Sequence, residues 1–76
     1  MTAADLRRLF EDGFSDYEFS YKGKMGSVCP HMKENLIAAM YDGKYFDFET
    51  FDELMSAPFV GGKSFNEIAQ EVIMYG

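Results

Sequence analysis

Tyr21-Lys22-Gly23-Lys24 and Tyr41-Asp42-Gly43-Lys44 are the two stretches whose reading decides the fold. Both read Tyr-x-Gly-Lys, twenty residues apart. Alternating or continuous apolar residues flank each of them, so each reads as the tip of a β-hairpin. The glycine supplies the positive φ that a type I′ turn, or a type I turn with a bulge, requires.

Working outward from the first tip, Tyr17, Phe19 and Tyr21 alternate with Glu18 and Ser20, the period of a half-buried strand. Residues 24–29 return as its partner, and Pro30 stops them. A polar connection, 31–35, leads to the continuous apolar run 36–41, read as a mostly buried strand. Residues 45–48 are the hairpin partner of that run. Upstream, Thr2 caps a first helix with Asp5 as its capping-box partner. Leu6, Leu9 and Phe10 follow at helical spacing, and Gly13 ends the helix. Downstream, Thr50-Phe51-Asp52-Glu53 and Ser64-Phe65-Asn66-Glu67 are two more capping boxes. Pro58 limits the first of these helices to about two turns. Behind the second box, Phe65, Ile68, Ala69, Val72 and Ile73 form an apolar stripe that predicts a helix reaching residue 73.

The expected fold is α+β, one domain over residues 1–76. It has an N-terminal helix, a four-stranded antiparallel meander and two C-terminal helices packed on one sheet face. With two-residue turns, Tyr17, Phe19, Val28, Ile37, Ala39, Phe46 and Phe48 share the face that meets the helices. Met25, Met40 and Tyr45 fall on the other face and form an apolar strip that no helix covers, a candidate partner surface. In a meander both tips lie at one end, gathering Lys22, Lys24 and Lys44. Asp12, Asp16, Glu34, Glu49 and Asp52 gather toward the opposite, acidic end.

Composition bounds the function. Apolar residues make up 47% and aromatics 17%, so the chain folds rather than staying disordered. At 76 residues it buries only about 60–65% of the surface its unfolded form exposes. Thirteen acids against seven bases leave a net charge of −6. That balance argues against direct nucleic-acid binding and leaves room for a basic partner. No segment has the length of a membrane span, and the first residues lack the apolar core of a secretory signal. The single cysteine, Cys29, excludes an internal disulfide and points to a cytoplasmic protein.

Three motifs invite a chemical reading. Residues 57–64, Ala-Pro-Phe-Val-Gly-Gly-Lys-Ser, fit a relaxed P-loop pattern. A P-loop needs a strand running into it, whereas a short helix and Pro58 precede this one. Gly61-Gly62 as a turn and Ser64 as a cap explain the same residues. Cys29-Pro30-His31 sets the only thiol beside the only imidazole, but a zinc site needs further Cys or His ligands that the chain lacks. Acids such as Asp52-Glu53 and Glu67/Glu71 sit at helix starts or on surfaces, where the helix dipole favours them without catalysis. No catalytic, cofactor-binding or metal-ligating set emerges, and no cofactor is expected.

The phrases Phe19-Ser20-Tyr21-Lys22-Gly23-Lys24, Tyr41-Asp42-Gly43-Lys44, Phe51-Asp52-Glu53-Leu54-Met55 and Gly62-Lys63-Ser64-Phe65-Asn66-Glu67-Ile68 resemble a loose set of small uncharacterised bacterial proteins. Those proteins pair a β-meander with a terminal helical segment. The resemblance spans residues 17–73, excludes the N-terminal helix and implies a fold with no activity attached.

The leading expectation is a non-catalytic cytoplasmic protein acting through protein–protein interaction on the Met25, Met40, Tyr45 strip. A second is an acidic mimic of nucleic-acid phosphates that inhibits a nucleic-acid-binding protein, as phage-encoded inhibitors of restriction or CRISPR nucleases do. A third is a homo-oligomeric structural protein using the same strip.

Overall fold

Both Tyr-x-Gly-Lys tips form two-residue type I′ turns. Lys22 and Gly23 have φ of 51° and 79°, and Asp42 and Gly43 have 52° and 81°. The structure, a computed structural model, describes residues 1–13, 16–30 and 36–75. The turns join β1 (Tyr17–Tyr21) to β2 (Lys24–Cys29) and β3 (Ile37–Tyr41) to β4 (Lys44–Phe48). The register follows from the turn length: Tyr21 opposes Lys24, and Tyr41 opposes Lys44. β2 and β3 pair with Val28 opposite Ala39, completing the antiparallel meander.

Among the described residues, three helices complete the α+β fold: α1 (Ala3–Asp12), α2 (Phe51–Ser56) and α3 (Phe65–Ile68). Each has a hydroxyl N-cap. The boxes at Thr2–Asp5 and Ser64–Glu67 are reciprocal, with each cap hydroxyl accepting from the third residue's N–H and each carboxylate accepting from the cap N–H. At α2 only half the box forms. Thr50 Oγ1 accepts from the Glu53 N–H, while the Glu53 carboxylate reaches one residue further back, to the Glu49 N–H.

The reciprocal boxes have a pH signature. The Thr2 backbone N–H bond, then the Thr2 side chain, hold the Asp5 carboxyl below its ordinary 3.8. The Ser64 N–H, then its hydroxyl, do the same for Glu67 below 4.5. A depressed folded-state pKa means the charged caps stabilise fully above those values and lose their effect as the pH falls beneath them. Glu67→Gln should therefore melt below the wild type at pH 7, and the gap should close as the pH drops well under 4.5. A gap that is unchanged across thermal melts from pH 7 to pH 2 would show that the cap charge contributes nothing.

The helices cover one face of the sheet. Phe65, on α3, is fully buried and is the hub: its ring centroid lies 5.6 Å from Phe10, 5.1 Å from Phe19 and 5.3 Å from Phe59. Phe59 extends the cluster to Phe46 and Phe48 on β4. Leu6, Val28, Leu54, Met55 and Val60 fill the space between the rings. Gly26 faces the same core opposite Phe19, whose ring lies over the bare Cα. Glycine inside a strand marks such close approaches.

The expected helix to residue 73 is not formed. α3 ends at Ile68, and after a turn the chain extends as β5 (Ile73–Met74), antiparallel to β1. Among the described residues the sheet thus has five strands, in the order β4-β3-β2-β1-β5. Phe65, Ile68 and Ala69 are buried as the stripe required, but Ile73 is 57% exposed. The reason is the edge of β1. A fifth strand satisfies its backbone, with the Tyr75 N–H donating to the Glu18 carbonyl, and seats Met74 opposite Phe19 on the core face. An extended β-branched Ile73 suits this better than further helix.

Candidate functional site

Strand alternation places Glu18, Ser20, Met25, Ser27, Cys29, Ala38, Met40, Tyr45 and Asp47 on the face away from the helices. The late strand adds Ile73 and Tyr75, which the stripe reading had assigned to a helix or left out. Ile73 pairs with Ser20, which pairs with Met25. Ser27 pairs with Met40, which pairs with Tyr45. A diagonal apolar band therefore runs from Ile73 through Met25 and Met40 to Tyr45. Tyr75 extends it, its hydroxyl 2.9 Å from Ser20 Oγ, which is why Ser20 is buried on a face that no helix among the described residues covers.

The exposures single this face out. The large apolar side chains most open to solvent among the described residues are Met1, Met25, Tyr45, Ile73 and Tyr75. All but Met1 lie on or beside this band, with Met25 at 47% and Tyr45 at 83%. Met40 is half-buried between them. The only charged strand residues on the face are acids, Glu18 and Asp47. The lysines of the strand ends, Lys24 and Lys44, belong to the opposite face, in register with Tyr21 and Tyr41.

The acidic residues are dispersed. Asp12 ends α1, Asp16 precedes β1 and Glu49 follows β4, so the latter two sit at the sheet end away from the hairpin tips. Asp52 is in the first turn of α2, ion-paired with Arg7, which also holds Glu11 at 3.2 Å. Glu34 lies outside the described residues, as does His31. Cys29 faces the open side opposite Ala38. Burial first, and then the Asp16 carboxylate, push its thiol up to about 11, so it stays protonated and a poor nucleophile near neutral pH. Among the described residues no group of three or more His, Cys, Asp or Glu is placed to hold a metal.

The P-loop-like stretch folds as a tight turn. Gly61 and Gly62 have φ of 62° and 82°, and Val60 and Lys63 exchange both backbone hydrogen bonds across them. The N–H groups of Val60 and Lys63 are thereby used within the turn and are not turned toward a phosphate. No helix among the described residues is long and apolar enough to cross a membrane. In comparisons with known proteins, no family model, no curated protein and no solved structure matches the chain.

Proposed function

We propose that this is a non-catalytic protein that works by docking the open face of its sheet onto a partner protein carrying basic residues around an apolar centre. The observation that carries the reading is the diagonal band Ile73, Met25, Met40, Tyr45, exposed on a face whose only strand charges are the acids Glu18 and Asp47. An apolar patch rimmed by charge of one sign favours a partner of the opposite sign, through both contact area and steering. Charge complementarity also favours a foreign partner over a second copy. Face-to-face self-association would set Glu18 and Asp47 against the same acids. The phosphate-mimic alternative has less support, because Asp52 and Glu11 are held by Arg7, and Asp5, Glu53 and Glu67 serve helix caps.

The test places a photo-crosslinking side chain at Tyr45 or, as a control on the helical side, at Arg8, and crosslinks in native lysate. The expected result is one protein adduct from position 45 and none from position 8. That adduct should map to a basic surface and disappear when Met25→Lys is added. Equal labelling from both positions, or an adduct indifferent to Met25→Lys, would refute the docking face.

A further inference from the structure

Three type I′ turns converge at one end of the molecule, and each closes with a lysine. Lys22-Gly23 is followed by Lys24, Asp42-Gly43 by Lys44, and Gly61-Gly62 by Lys63. The third turn comes from the loop between α2 and α3 and lies against the β3 tip, with Gly61 beside the Tyr41 ring. Tyr41 ties the first two tips together by donating its hydroxyl proton to the Tyr21 carbonyl at 2.8 Å. Between the turns is a groove of about 470 Å³ on the helical side of the sheet, within the range of small-molecule sites.

The charge of this groove opposes that of the protein. Lys22, Lys24, Lys44 and Lys63 line it, four of the chain's seven basic residues, with Asp42 the single acid. Four lysines on one groove make a local reversal of sign in a chain of net charge −6. Asp42 is occupied by Lys24, 3.1 Å away. Lys44 and Lys63 have no ion-pair partner within 4 Å among the described residues, the charge of Lys63 reaching the Glu67 carboxylate only from farther off. Lys22 holds φ of 51°, at a turn position where Asn, Asp or Gly is the low-energy choice. Beneath the ammonium groups, half-buried Phe46 and exposed Pro58 form an apolar wall.

We propose that this groove binds a small organic phosphate of nucleotide size, its phosphate held by Lys22, Lys44 and Lys63 and its ring lying on Phe46 and Pro58. Ammonium groups without carboxylate partners favour a doubly charged phosphate over a single carboxylate. A long polyanion is disfavoured, because the chain as a whole carries a net charge of −6. The site lies across the sheet from the open face and is independent of the docking reading.

The experiment titrates the protein with AMP, inorganic phosphate and citrate in ~20 mM salt, where screening is weak, and follows backbone amides by NMR. AMP is expected to bind with a Kd below ~1 mM. Its shifts should concentrate at 22–24, 42–44 and 61–63, and it should bind more tightly than phosphate or citrate. The double variant Lys44→Gln/Lys63→Gln, surface changes that leave the turn glycines intact, should weaken AMP about tenfold or more with an unchanged amide spectrum. No saturable binding of AMP, shifts scattered over the surface, phosphate or citrate binding as tightly, or a variant that binds as the wild type does would each overturn the proposal.

Discussion

Phe65→Ala should destabilise the protein by about 3–5 kcal/mol, the range for deleting a buried phenylalanine ring. Its ring is fully buried and joins α1 through Phe10, β1 through Phe19 and the α2–α3 loop through Phe59. Phe10 makes the reciprocal link from the first helix, its ring meeting both Tyr17 of β1 and Phe65. A domain of this length holds on the order of 4–11 kcal/mol in total. The variant should therefore keep only part of that margin and lose its near-ultraviolet circular dichroism at a markedly lower urea concentration than the wild type. Urea unfolding of the wild type and variant measures the difference. A loss under about 1.5 kcal/mol would mean that the neighbouring rings close the cavity and that the hub is dispensable.

Gly26→Ala is the second large effect, and it arises from adding one methyl group. A Cβ there would stand 2.3 Å from Phe19 Cζ and 2.6 Å from the Met40 carbonyl oxygen. Neither neighbour can yield cheaply. Phe19 is pinned between Tyr41 and Phe65, and the Met40 carbonyl belongs to the backbone of the adjacent strand. The expected cost is about 3 kcal/mol, the upper part of the range for overpacking. The cause can be isolated with a double-mutant cycle. Phe19→Leu should relieve part of the clash, so the two changes together should cost less than their sum by about 1 kcal/mol. Strict additivity would move the cause to the backbone.

What could be read from the chain, and what could not, divides along a physical line. The meander and its register were legible because two-residue turns and period-2 alternation are local rules, and Tyr21-Lys22-Gly23-Lys24 satisfies both at once. From that register the band Met25, Met40, Tyr45 followed directly. The fifth strand was not legible. Phe65, Ile68, Ala69, Val72 and Ile73 satisfy a helical stripe, and only the open edge of β1, distant in sequence, decides that Ile73 extends instead. Ile73 and Tyr75 escaped the predicted surface for the same reason. Lys22, Lys24 and Lys44 were placed together by hairpin topology. Lys63 joins them because a loop between two helices docks at the tips, an outcome of tertiary packing that spacing does not encode. The role of Gly26 likewise depends on where the Phe19 ring points.

The strand order β4-β3-β2-β1-β5 also has a kinetic meaning. Four strands are joined to their chain neighbours, two of the three links being turns of minimal length, and can zip up sequentially on the timescale of hairpin formation, about 1–10 μs for each hairpin. The last strand has to find the first, with Met74 meeting Phe19 across most of the chain. The longest-range pairing of the sheet is thereby confined to that one encounter. That encounter yields only a two-residue ladder, so the amides of Ile73–Met74 belong to the least protected cooperative unit of the sheet. The protein is in this sense a fast-zipping sheet with a slow clasp, and the clasp carries Ile73 and leads into Tyr75, two of the side chains that widen the docking face. Opening the clasp would change the shape of that face without unfolding the sheet behind it.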